Sequence, residues 1–149
     1  MKKNALLLFC SLFIFMAASA RAAESPGIVF VVNPSSSVSE ISLEDIVSFF
    51  FKKKHRWPDG SKVRFIDQKD GSAVKKIFND KVLHKTSREV DLFWIGEKNF
   101  SGQGAPIQAP SDELVVSTVS SLPGAIGYVS TGDAELLSQV KTITVRGLE

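Results

Sequence analysis

The stretch Val63-Arg64-Phe65-Ile66-Asp67-Gln68-Lys69-Asp70-Gly71-Ser72 begins apolar and ends on a turn signal. Val63 to Ile66 read as a strand, and Asp70-Gly71-Ser72 as the turn that leaves it. Beyond the turn, Val74, Ile77, Phe78 and Val82 recur at helical spacing and predict one apolar helix face. A strand that feeds a helix through a short turn is the building unit of a layered α/β fold.

Toward the N-terminus, Ile28-Val29-Phe30-Val31-Val32 is a continuous, mostly β-branched apolar run. It predicts a strand buried on both faces, ended by the turn signal Asn33-Pro34-Ser35. Ser42 is placed to start a helix, with Asp45 three residues on in a variant of the capping box. Leu43, Ile46, Val47 and Phe50 share one face of that helix. Trp57-Pro58-Asp59-Gly60 closes the unit with a turn.

Toward the C-terminus, Ser87 is expected to cap a third helix that carries Val90, Leu92, Phe93, Trp94 and Ile95. Apolar residues fall on more than one side of it, which predicts a well-buried helix. Phe100 to Pro110 reads as a loop containing Gly, Gln and Pro. Ser111 caps a fourth helix with Val115, Val119 and Leu122 on one stripe, and Pro123-Gly124 stops it. Ile126-Gly127-Tyr128-Val129 is a third strand, and Thr142 to Val145 alternates like an outer strand. The order is strand, helix, strand, three helices, strand, short helix, strand. It predicts an α/β fold with a mainly parallel or mixed sheet flanked by helices.

The first residues have the layout of a secretory signal: Met1-Lys2-Lys3, an apolar run from Ala5 to Ala18, and Ala-x-Ala at 18–20 and 20–22. The run is shorter than the about 20 residues that cross a bilayer. Cleavage is expected after Ala20 or Ala22, giving a signal over 1–22, one domain over 23–149, and no membrane span after cleavage. A lipoprotein signal needs a small residue before the cysteine, and Phe9 precedes Cys10. Cys10 is the only cysteine. It leaves with the signal, so the mature domain is expected to hold neither a disulfide nor a thiolate metal site. Losing Lys2, Lys3 and Arg21 takes Lys+Arg from 18 to 15 against 16 Asp+Glu, a mature charge of −1. Such a chain offers no basic field for nucleic acid.

His55 and His84 are far apart and lack clustered carboxylates, which argues against zinc. Gly-x-Ser-x-Gly, the P-loop and the dinucleotide fingerprint do not occur. The expectation is therefore a protein without cofactor or enzymatic activity. The turn before the second helix is the site candidate. A helix start presents unpaired N–H groups and partial positive charge. Ser72 adds a hydroxyl and Lys69 a cation, so a small anion can dock there. The plainer alternative is that Ser72 is an N-cap only. Lys52-Lys53-Lys54-His55-Arg56 also has two readings. It is either a docking patch for an acidic partner, an anionic lipid or a polyanion, or, more plainly, a solvated helix end whose cations complement the dipole.

Asn33-Pro34 with the Ser42 helix, Phe50 through Trp57-Pro58-Asp59-Gly60, Asp70-Gly71-Ser72 and Pro123-Gly124-Ala125-Ile126-Gly127-Tyr128-Val129 stand in a telling order. Over nearly all of residues 27–130 the chain resembles the phosphate-binding proteins of ABC transporters, the PstS-like proteins. The resemblance implies one lobe of the type II periplasmic-binding-protein architecture, in the periplasm of a Gram-negative cell. Full members of that family have two lobes that close on phosphate by a hinge. Their anion-site pattern resembles Arg-x-Asp-Gly-Ser-Gly-Thr, against Gln68-Lys69-Asp70-Gly71-Ser72-Ala73-Val74 here. Asp70, Gly71 and Ser72 match. Gln68 replaces the arginine and lacks its charged bidentate fork. Ala73 replaces a glycine, and Val74 a threonine hydroxyl. Lys52 stands where the family usually has glycine.

The resemblance implies a solute-binding module with Gln68, Lys69, Asp70, Gly71, Ser72 and Ala73 as ligand-binding residues. The implied ligand is phosphate or another small oxyanion. The implied partner is an ABC permease or another periplasmic protein. The alternative is a non-enzymatic interaction module of the same fold that has lost phosphate binding. In that case the loop 101–110 and the basic run 52–56 would face a protein.

Overall fold

Alternation along the strands builds two cores, one on each face of a six-stranded mixed sheet. The computed structural model describes residues 27–130 and 132–148. The expected signal, residues 1–22, lies outside the described residues. In chain order the elements are β1 (Ile28–Val32), β2 (Glu40–Ser42), α1 (Leu43–Phe50) and β3 (Arg64–Gln68). Next come α2 (Ala73–Ile77), a π-helical segment (Phe78–Leu83) that continues it, α3 (Ser87–Ser101) and β4 (Ile107–Ala109). The chain ends with α4 (Asp112–Ser121), β5 (Ala125–Ser130), α5 (Ala134–Leu137) and β6 (Lys141–Arg146). The strands lie in the order β2-β6-β1-β5-β3-β4. β1 is antiparallel to β5 and β6, whereas β3 is parallel to β5 and β4, and β2 to β6.

Phe30 and Val32 of β1 enter one core and Val31 the other; on β5, Ile126 and Tyr128 oppose Ala125 and Val129. The first core is aromatic. Phe50 of α1 and Phe78 of the π-helical segment close on Phe30, Phe65 and Tyr128. The Phe78 and Tyr128 rings stack with centroids 4.2 Å apart. Such ring pairs add about 0.5–1.5 kcal/mol beyond their burial. The second core is aliphatic, with Val115, Val116 and Val119 of α4 on Val31, Ile66 and Val129. Gly127 permits this close approach, because a Cβ there would stand 2.8 Å from Val115 Cγ1.

Several local expectations change. Ser42 caps α1, its Oγ accepting from Asp45 N at 3.1 Å, but the Asp45 carboxylate turns to Lys54 at 2.5 Å. That box is therefore half made. Thr86, one residue before Ser87, caps α3. Its Oγ1 accepts from Glu89 N at 3.3 Å, and the Glu89 carboxylate accepts from Thr86 N at 2.7 Å, a complete capping box. Thr86→Ala should cost about 1 kcal/mol in urea unfolding; an unchanged midpoint would show that this cap contributes nothing.

α3 is not buried all round. Val90 and Trp94 face inward, while Leu92 and Ile95 are 55% and 58% exposed. α3 reaches the core through contacts of Phe93 and Trp94 with Phe50 and Phe51 of the α1 end, so a single stripe is covered. Residues 100–110 are not wholly loop: α3 runs to Ser101 and β4 follows. β4 is too short, with Ile107 exposed and Ala109 buried, for its alternation to stand out. The strand at Thr142–Val145 is present, but β2 pairs outside it, so it is not the edge.

Candidate functional site

β3 ends on Asp67 and Gln68, which strand alternation sends to opposite faces. Asp67 turns toward the aromatic core. Its Oδ2 accepts from Lys75 Nζ at 2.5 Å, and its Oδ1 accepts from Tyr128 OH at 2.5 Å and from Gln68 N at 2.8 Å. Asp67 is 3% exposed and Lys75 2%. Lys75 comes from α2 and lays its ammonium 5.2 Å from the Phe50 ring centroid and 5.7 Å from that of Phe78. Burial holds the Asp67 carboxyl above its ordinary value, against the pull of Lys75 and of the Tyr128 and Gln68 hydrogen bonds. Burial, then the Asp67 charge, push the Tyr128 hydroxyl up, which keeps it a neutral donor.

Gln68 turns the other way. Its Nε2 donates to Asp112 Oδ1 at 2.6 Å and to Tyr128 O at 3.2 Å. Asp112, the first residue of α4, also accepts from Ser130 N at 3.0 Å. Gln68 is 1% exposed and ties β3 to β5 and α4. Its amide nitrogen is engaged in these two bonds.

The rest of the expected set lies on the turn that follows. Lys69 is exposed, and its N–H donates to Ala109 O at 2.9 Å. Gly71 has φ +90°, a conformation that favours glycine. Ser72 caps α2, its Oγ accepting from Lys75 N at 3.2 Å. The turn separates two hollows. Asp70 borders a cleft on one side, whereas Gly71, Ser72 and Ala73 border a hollow of about 360 Å³ against Thr86 and Ser87. Asn79 Oδ1, in the lining of that second hollow, is buried without a hydrogen-bond partner.

The cleft, about 500 Å³, opens beyond the carboxyl ends of β3 and β4. Asp67, Asp70 and Lys75 form one side; Asp91, Trp94 and Lys98 of α3 form another, with Gly104, Ala105 and Gln108 completing it. Trp94 is 7% exposed, and its indole Nε1 has no hydrogen-bond partner. A buried donor without an acceptor costs about 1–3 kcal/mol. No nucleophile stands beside a base here, and no group of three or more His, Cys, Asp or Glu fit for a metal ion occurs among the described residues. Asp67, Lys75 and Trp94 escaped the sequence reading. Lys75 left a trace: it sits three residues before Phe78 and seven before Val82, on the apolar stripe itself.

The fold is similar to that of phosphate-transport receptors. PstS from Borrelia burgdorferi superposes with a TM-score of 0.64 at 20% identity, covering 83% of this chain and 49% of that one. A protein from Clostridium perfringens, assigned as a phosphate ABC transporter substrate-binding protein and solved with bound phosphate, gives 0.63 at 19% identity, covering 83% and 46%. An ABC-type phosphate transport receptor from Vibrio cholerae gives 0.62 at 16% identity, covering 83% and 48%. The chain spans about half the length of these proteins, as a single lobe would. Identity this low shows likeness of fold. No family model matches the chain, and no curated protein does. The structural neighbours named above are binding proteins, and no described helix is long and apolar enough to cross a membrane.

Proposed function

We propose that this chain is a secreted, non-enzymatic solute-binding module of the phosphate-receptor type. It works in the periplasm with an ABC permease or another protein. Its ligand surface is the turn Lys69–Ala73 and the cleft beside it, and its ligand is a small oxyanion such as phosphate. The observation that carries this reading is a cleft bordered by Asp70 of that turn, with Lys75, Trp94 and Lys98 in its lining. That cleft lies beyond strand carboxyl ends, where open α/β sheets take their ligands. The N–H groups of Ala73 and Val74, at the start of α2, have no intrahelical partner and can serve an anion on the turn itself. The carboxylates of Asp70 and Asp91 oppose an anion, and one lobe cannot close, so binding is expected to be weak.

Calorimetry with inorganic phosphate, sulfate as competitor, and the Lys98→Gln and Ser72→Ala variants tests this. Saturable heat that is lost in Lys98→Gln or Ser72→Ala supports the reading. A folded sample that gives no heat up to millimolar phosphate rejects it.

One observation favours the interaction module instead. The Asp67 carboxylate already takes Lys75, the Tyr128 hydroxyl and Gln68 N, and so acts as an internal anion. The chain also exposes Leu92, Ile95 and Phe100, the last at 93%. On this reading phosphate gives no heat, and sedimentation detects self-association or a partner complex that Ile95→Asp abolishes.

A further inference from the structure

Helix α3 carries apolar residues on two sides. Val90 and Trp94 turn inward, yet Leu92, Ile95 and Phe100 stand 55%, 58% and 93% exposed. Leu92, Gly96 and Phe100 are spaced four apart and form one ridge on the outer face, with Ile95 beside it. Single exposed apolar side chains are ordinary. A ridge of them, on the side where a surface helix normally carries charge, is not. We propose that this face of α3 is a dimer interface that takes the same face of a second copy of this chain, the two helices antiparallel and crossing at Gly96.

Gly96 points to a second helix as the occupant. Glycine inside a helix weakens it relative to alanine, so its presence calls for a packing or functional reason. The described residues supply none. Gly96 does not have a positive φ, and a Cβ there would meet nothing within 4 Å. Neither a turn nor packing within the chain therefore requires glycine. What a bare backbone offers on an outer helix face is the close approach of another backbone.

The spacing suits self-pairing. Leu92 lies one ridge step before Gly96 and Phe100 one step after, each about 6 Å along the axis. A two-fold axis at the crossing sets each Phe100 on Leu92 of the other copy and glycine against glycine, as an isologous contact requires. Antiparallel helices also oppose their dipoles favourably. The ridge itself bears no charge: Arg88 and Glu89 lie in the first turn, and Asp91, Glu97 and Lys98 flank the ridge with mixed sign. Such a face selects neither an acidic nor a basic partner, and it lacks the rows of Lys and Arg that a helix lying on a membrane carries. One helix face is small against the about 800 Å² per partner of a standard interface, so the dimer is weak and reversible. Ile95 also borders the cleft, which places the second copy at the cleft mouth. The pairing does not need the anion reading; it gives the interaction-module reading an occupant and a geometry.

The test is sedimentation of residues 23–149, which hold every described element, from micromolar to millimolar concentration. The expected result is a monomer–dimer equilibrium. In Gly96→Leu and in Phe100→Ser the apparent Kd should rise by about tenfold or more. Both positions are open on the outer face, so these variants keep the fold, which urea unfolding verifies. Leu114→Ser, which removes an exposed side chain of α4 on the opposite face of the sheet, should leave the Kd unchanged. Gly96→Ala should raise the urea midpoint of the dilute monomer and still weaken the dimer. A lower midpoint in that variant would place the need for glycine inside the chain and overturn the proposal. So would a monomer at every concentration, species larger than a dimer, or association that Gly96→Leu leaves equal or strengthens, the mark of a general apolar patch. A monomer that instead captures a different protein overturns the pairing and leaves the interaction module standing.

Discussion

Lys75→Met is expected to lower the free energy of unfolding by about 3–5 kcal/mol, measured by urea denaturation. Methionine keeps the length and most of the volume of the side chain and its contact with Phe50 and Phe78. What it removes is, among the described residues, the one cation paired with Asp67, which is 3% exposed. A buried carboxylate then keeps Tyr128 and Gln68 N as donors but loses its countercharge. Small domains have about 5–15 kcal/mol in total, so the variant should sit near the edge of folding. The double variant Asp67→Asn with Lys75→Met should recover most of the loss, because the asparagine oxygen still accepts and no charge is left unpaired. A double variant as unstable as the single would place the effect in packing rather than charge.

Gly124→Ala is expected to cost about 4 kcal/mol, at the exceptional end of single substitutions. A Cβ at Gly124 would stand 2.2 Å from the backbone oxygen of Lys62, and φ is +75°. The segment cannot shift to make room. Gly124 O accepts from Trp57 Nε1 at 2.9 Å and from Arg64 N at 3.1 Å, so movement breaks bonds to the turn at 57–60 and to the start of β3. Gly71→Ala is the control. Its φ is +90°, but a Cβ there meets nothing within 4 Å. Only the left-handed backbone penalty of about 1–2 kcal/mol should appear. Equal losses in the two variants would show that the close approach to Lys62 carries no weight.

Local chemistry sufficed for several elements of the fold. Ile28–Val32, the helix faces around Phe50 and Phe78, the Ser42, Ser72 and Ser111 caps, and the Pro123-Gly124 stop all follow from a few neighbouring residues. The order of those elements was enough for a layered α/β fold, and the matched turns were enough for the likeness to phosphate receptors. The short strands β2 and β4 were not legible. Each is only three residues long and is held by its neighbour in the sheet rather than by its own pattern.

The candidate site was legible only as a location. The turn at Asp70-Gly71-Ser72 could be read, because glycine and a capping serine act on their own backbone. The roles of the side chains around it were set at long range. Gln68 looks like a ligand residue beside Lys69, yet pairs with Asp112, 44 positions away. Asp67 meets Tyr128 across 61 positions. The basic run is divided among distant partners: Lys54 pairs with Asp45, and Lys52 reaches the carbonyls of Gly104 and Ala105. Periodicity and capping are local and survive in the sequence as pattern. Burial, ion pairing and the convergence of charges depend on which strands become neighbours, and that is decided when the sheet assembles in the order β2-β6-β1-β5-β3-β4.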